Sequence, residues 1–172
     1  SLVPRSAYYS ELLGRTQLAG QQIDGAIASL EQAITLAPAE TARLAFTIGA
    51  LRERQDKPVE ARASYEREAT ADTSAIPPRL ALARVHLRAD RLDDAKRRLD
   101  EVRPRVPAEG GEHAVFAQLD ARVAALEAER EAKRRAEAER AVVAMRDQIL
   151  GSSPILALLN GMGRDSSASI WG

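Results

Sequence analysis

The sequence predicts an all-α chain in which stacked helix pairs are followed by one long helix. Three observations carry this. Small and apolar residues recur at matched spacing: Gly14, Ala26, Leu30, Ala33 and Pro38, then Gly49, Ala61, Tyr65 and Ala69, then Ala83, Ala95, Leu99, Val102 and Pro107. The period is about 34 residues, the length of one helix–turn–helix unit. Aromatics make up only 3% of the chain and charged residues 29%, which suits helices packed through Ala and Leu. Finally, no glycine or proline interrupts the chain between Glu112 and Leu150.

The spacing sets out six repeat helices, at about Tyr8–Leu18, Ile23–Leu36, Thr41–Arg54, Pro58–Ala71, Pro78–Ala89 and Leu92–Val102. Gly20, Asp56-Lys57 and Asp90-Arg91 mark the tight turns within the pairs. Pro58 suits a first-turn position, where its missing N–H would be unpaired anyway. Asp93-Asp94 opens a helix and complements its dipole. In each pair a small residue in the first helix (Gly14, Gly49, Ala83) and one in the second (Ala26, Ala61, Ala95) let the two axes approach. A larger residue one turn on fills the remaining space (Leu30, Tyr65, Leu99), with aliphatic bulk nearby from Leu13, Ile48 and Leu82.

On these residues the chain resembles three tetratricopeptide repeats over residues 7–107. The resemblance implies a right-handed α-solenoid whose first helices line a concave, protein-binding face. Proline closes the second helix at Pro38 and Pro107, whereas the second repeat carries Thr73 there, with Pro77 and Pro78 following. Residues 103–111, with two prolines and two glycines, break the pattern. A long capping helix then spans 112–150. Phe116, Leu119, Val123 and Leu126 recur at helical spacing and are expected to pack on the last repeat. Residues 127–140 are Glu, Ala, Arg and Lys only, which predicts a solvated, protruding stretch supported by pairs such as Glu129–Lys133 and Glu131–Arg135.

The termini differ in character. Leu2-Val3-Pro4-Arg5 resembles a thrombin site left by an expression vector, so residues 1–6 are set aside as a tag remnant and the chain is expected to be a fragment. Residues 151–172 form a tail in which Ile155, Leu156, Leu158 and Leu159 cluster without charge. Such a cluster favours burial, and on a long helical arm it is expected to dock on another copy as a self-association site.

Chemistry is sparse. The chain has no cysteine and two histidines. His86 is expected in the core and His113 at a helix start. Neither has carboxylates spaced for a metal, and no phosphate loop or catalytic triad is present, so the expectation is no enzyme, no metal and no cofactor. The formal net charge is zero, and the arginines of the third repeat alternate with Asp and Glu without aromatic partners, which argues against nucleic acid. No apolar run reaches the length of a membrane span. Arginine and alanine richness point to a GC-rich bacterial genome; the compartment, cytoplasm or cell envelope, is unreadable.

The resemblance places the binding face on Tyr8, Leu12, Arg15 and Leu18 of the first repeat, Arg43, Phe46, Ala50 and Arg54 of the second, and Leu80, Arg84, Leu87 and Arg88 of the third. That surface is apolar with arginine around it, which implies a helix or extended peptide with apolar anchors and some negative charge. Chaperone-binding members clamp an acidic C-terminus with Lys and Asn. Those positions fall here on Glu11, Arg15, Thr47, Pro77 and Ala81, so the clamp is absent. Two roles remain open: an adaptor binding a partner segment in the groove, and a self-assembling structural protein whose C-terminal helix or tail binds another copy.

Overall fold

A computed structural model describes residues 3–151; the tail cluster Ile155, Leu156, Leu158 and Leu159 lies outside the described residues. Eight α-helices and one 3-10 turn are found among them: α1 (Val3–Ala19), α2 (Ile23–Leu36), α3 (Pro38–Thr41), α4 (Leu44–Arg54), α5 (Pro58–Ala71), α6 (Pro77–Arg88), α7 (Leu92–Val102), the turn Arg103–Arg105, and α8 (Gly111–Gly151). α1 with α2, α4 with α5 and α6 with α7 are the tightly packed pairs, joined through α2–α4 and α5–α6 contacts. Residues to Ala125 form one compact unit; Leu126 onward, the remainder of α8, forms a second.

The first two pairs close on a contact that leaves no room for a side chain. A Cβ on Gly14 would lie 2.8 Å from Leu30 Cγ, and one on Gly49 would lie 2.5 Å from Tyr65 Cε1. Ala26, Ala61 and Ala95 are fully buried, as are Tyr65 and Leu99. The turns within the pairs are also alike. Gln21, Asp56 and Asp90 all take positive φ, at 60°, 57° and 55°. In each turn the following residue's N–H reaches back to a carbonyl five residues earlier: Gln22 to Gln17 at 2.8 Å, Lys57 to Arg52 at 2.9 Å and Arg91 to His86 at 2.9 Å. This left-handed closure satisfies carbonyls that a helix end leaves orphaned.

Two junctions depart from the expected pattern. The helix expected from Thr41 begins instead at Leu44, with Thr41 ending the short α3, and in the first turn of α4 the Phe46 N–H donates to the Glu68 carboxylate at 2.7 Å, so that α5 caps α4. Where the second repeat lacks its proline, Arg79 takes over. Only 7% exposed, it donates to the carbonyls of Ala69 (2.8 Å), Asp72 (3.2 Å) and Ala75 (2.6 Å) around the end of α5. A cation there complements the helix dipole and fills the orphaned acceptors.

Apolar burial is divided among the junctions. One cluster holds Leu30, Ile34, Leu44 and Ile48 between the first pair and α4. A second holds Tyr65, Leu82 and Val85 between α5 and α6. The third holds Leu80, Leu99 and Val102 with Phe116, Leu119 and Val123, so the first turns of α8 cap the last pair as expected. Arg103 fastens that cap, donating to Asp120 at 2.8 Å and lying 5.2 Å over the Phe116 ring. Ile48 and Leu82 are core residues, whereas Leu13 is 51% exposed. α1 also begins five residues before Tyr8, taking in Val3–Ser6.

His86 is 4% exposed, with neither ring nitrogen hydrogen-bonded and its Nδ1 3.9 Å from Asp94. Burial pushes its pKa down, and the nearby Arg91, Arg98 and Arg62 add to that against the opposing pull of Asp94. The unfolded chain therefore takes up this proton more readily, so stability is full above about pH 6.5 and declines below it. Urea denaturation between pH 7 and 5 is expected to show this decline, and His86→Leu to flatten it.

Gly49→Ala separates two opposing effects. Alanine gains about 1 kcal/mol of helix propensity, while its Cβ runs into a fully buried tyrosine ring, an overpacking that costs about 1–3 kcal/mol. The net expectation is a lower denaturation midpoint; an unchanged or raised midpoint would mean that the pair has room to open.

Candidate functional site

The first helices of the pairs, α1, α4 and α6, meet one another through side chains. Glu11 of α1, its side chain 11% exposed, accepts from Arg15 at 2.6 Å and from Arg43, just before α4, at 2.9 Å. Glu53 of α4, 12% exposed at its side chain, accepts from Arg84 and, at 2.9 Å, from Arg88, both of α6. The Tyr65 hydroxyl donates to the same carboxylate at 2.6 Å. Burial alone would raise the Glu53 pKa, but the hydrogen bonds from Arg84 and Tyr65 and the charges of both arginines outweigh it and hold the group below the usual carboxylate range. Burial, then the hydrogen bond to Glu53 and the Glu53 charge, push the Tyr65 phenol upward, so it remains a proton donor.

Beside this network lies a hollow of about 170 Å³ lined by Phe46, Pro77, Leu80, Ala81, Arg84, Gly111, Glu112 and Val115. Phe46 is held half-buried against Tyr65, ring centroids 5.5 Å apart. Leu80 is 4% exposed and Ala81 2%, so they form the floor. Val115, 39% exposed, comes from the first turns of α8. A second hollow of about 280 Å³ is lined by Glu53, Asp56, Pro58, Val85, Arg88 and Ala89. Arg84 borders the first, Glu53 and Arg88 the second, and the ion pair between them stands at the divide.

Among the sequence-predicted residues, Phe46, Leu80 and Arg84 converge on one hollow, and Arg88 joins Arg84 on Glu53. Arg15 and Arg43 converge on Glu11. Leu80 is a core residue that offers only its edge, and Leu18 and Leu87 are packed against core clusters. Ala50 is half-buried and Arg54 exposed. Tyr8 and Leu12, 61% and 48% exposed, stand on α1 away from the hollow's lining, with Tyr8 edge-on to Tyr9. Four of the five arginines expected on this face, Arg15, Arg43, Arg84 and Arg88, are bound to the carboxylates of Glu11 and Glu53. Glu11, Glu53, Glu112 and Val115 were not foreseen as part of the face. A signal for the ion pairs existed, since each Glu is answered by an Arg 31–35 positions later, the distance to the next first helix. Of the positions expected for the absent chaperone clamp, Pro77 and Ala81 form apolar wall instead.

Comparison with solved structures agrees with this architecture. The chain is similar to the type III secretion chaperone SycD of Yersinia enterocolitica in complex with a peptide of the translocator YopD, at 15% identity over 72% of this chain and 93% of that one, TM-score 0.62. It is similar to the TPR2B domain of yeast Sti1 in a complex with an Hsp70 peptide, at 18% identity over 71% of this chain and 98% of that one, TM-score 0.62. It also resembles MamA, at 18% identity and TM-score 0.53, where it spans 57% of that chain and the match covers 57% of its own. No family model and no curated protein matches the sequence. The fold is the tetratricopeptide-repeat solenoid, as the spaced small residues predict.

The Glu53 network yields a test with a defined sign. Because its pKa is depressed in the fold, its contribution is present above its ordinary value of 4.5 and is lost as pH falls through the folded value. Glu53→Gln is expected to lower stability at pH 7 by about 1–3 kcal/mol. The gap to wild type should close in acid, as read by denaturant titrations at pH 7 and pH 3.

Proposed function

We propose that this chain is a non-catalytic adaptor that takes a helix or peptide of another protein on the surface formed by α1, α4 and α6. The observation that carries this is the apolar hollow at the α4–α6 junction, bordered by charge and open to solvent. Both the SycD and Sti1 structures hold partner peptides on the same solenoid architecture, which supports the role without naming the partner. Among the described residues no group of three or more His, Cys, Asp or Glu is placed to hold a metal ion.

A peptide-display selection on the folded chain, followed by NMR shift mapping of the selected peptides, tests the role. Shifts are expected at Phe46, Ala50, Arg84 and Arg88, and Phe46→Ala should weaken binding while helical circular dichroism stays intact. Shifts confined to α2, α5 and α7 would overturn this assignment.

A second role, self-assembly through the C-terminal helix or tail, is favoured by Val142, Met145 and Ile149, which are 64–68% exposed on α8. Light scattering on the full chain and on one ending at Gly151 tests it. A chain that is monomeric in both forms at high concentration rules it out.

A further inference from the structure

Building on the adaptor role, we infer the chemistry of the segment that the α4–α6 hollow takes: one branched aliphatic side chain, with a carboxylate neighbour on one side and a cationic neighbour on the other. Three features of the hollow lead there.

The hollow is small and its walls are apolar. At about 170 Å³, between Phe46, Leu80, Ala81 and Val115, it has room for one side chain of leucine or isoleucine size. Val115 comes from α8, outside the repeats, so the cap and not the solenoid alone closes this hole. Such a site fixes one anchor residue, as helix-in-groove and extended-peptide recognition both require.

The charge around it is divided. On one side Arg84 and Arg88 share the single carboxylate of Glu53, so one positive charge is left over. The Arg88 side chain is 66% exposed and bound to Glu53 through Nη1, leaving donors of its planar fork free for a second carboxylate. On the other side Glu112 lines the hollow and makes no ion pair among the described residues. A partner carboxylate near Arg88 and a partner lysine or arginine near Glu112 meet opposite charge. The reversed order meets like charge at both ends, which steers register and direction more than it adds affinity.

This two-sided charge also separates the inferred ligand from a purely acidic terminus. An all-acidic segment would place a carboxylate against Glu112, and a free terminal carboxylate finds no unshared arginine at the apolar wall of Pro77 and Ala81.

The test uses the intact chain and peptides taken from the display library. Selected sequences are expected to share an aliphatic residue with an acidic neighbour on one side and a basic neighbour on the other. Replacing the acidic residue by lysine should weaken binding at least about tenfold in fluorescence anisotropy. On Arg88→Glu that preference should reverse, and on Glu112→Lys the preference for the basic neighbour should reverse. Val115→Arg, a change on an exposed helix position, should abolish binding by filling the hole, with circular dichroism unchanged. Peptides that map to α4 and α6 but carry no such pattern, or whose affinity ignores both charge reversals, would overturn this inference and leave the adaptor role standing. Peptides that map elsewhere would overturn both.

Discussion

The architecture depends on how closely the two helices of each pair approach. At Gly14 against Leu30, and at Gly49 against Tyr65, even one added carbon would sit inside the neighbouring side chain. Close approach lets one large residue per pair fill the interior while the rest of the helix surface stays small and polar. That explains how a chain with 3% aromatic content and 29% charge still buries Tyr65, Leu30, Ile34, Leu82 and Leu99 almost completely. Everything further out, including the ion pairs between first helices, relies on the axes being held at that spacing.

Much of this was legible in the sequence because it follows from steric needs that repeat. The small residues, the turn positions, the second helices α2, α5 and α7, and the capping run from Phe116 to Val123 follow from period and helical spacing. What was not legible depends on single long side chains reaching across. The Glu68 carboxylate caps the late start of α4 by taking one backbone N–H, and Arg79 substitutes for a missing proline. Neither recurs among the described residues, so no periodic search detects them.

The binding face shows the same division. Its apolar members, Phe46 and Leu80, follow from the resemblance, because their positions are set by the backbone. Its electrostatics do not. Glu11 and Glu53 occupy different positions within their repeats, so the two carboxylates are not copies of one motif even though each bridges adjacent first helices. The pairing changes the character of the surface from free guanidinium to shared guanidinium. A half-buried carboxylate that collects two arginines and a tyrosine hydroxyl orients the donors it leaves over, and orientation favours selectivity over raw attraction.

The partition of apolar burial into three junction clusters has a consequence for how the molecule comes apart. With no single core, cohesion is a chain of nearest-neighbour links, and the loss of one link leaves the next intact. Among the described residues the first pair packs on α3 and α4, while the third lies between α5 and the first turns of α8. Amide protons of α1 should therefore exchange with solvent sooner than those of α6, giving a gradient of protection along the solenoid in place of one global opening. A partner spanning α1, α4 and α6 would flatten that gradient, tying the least protected helix to the most protected one.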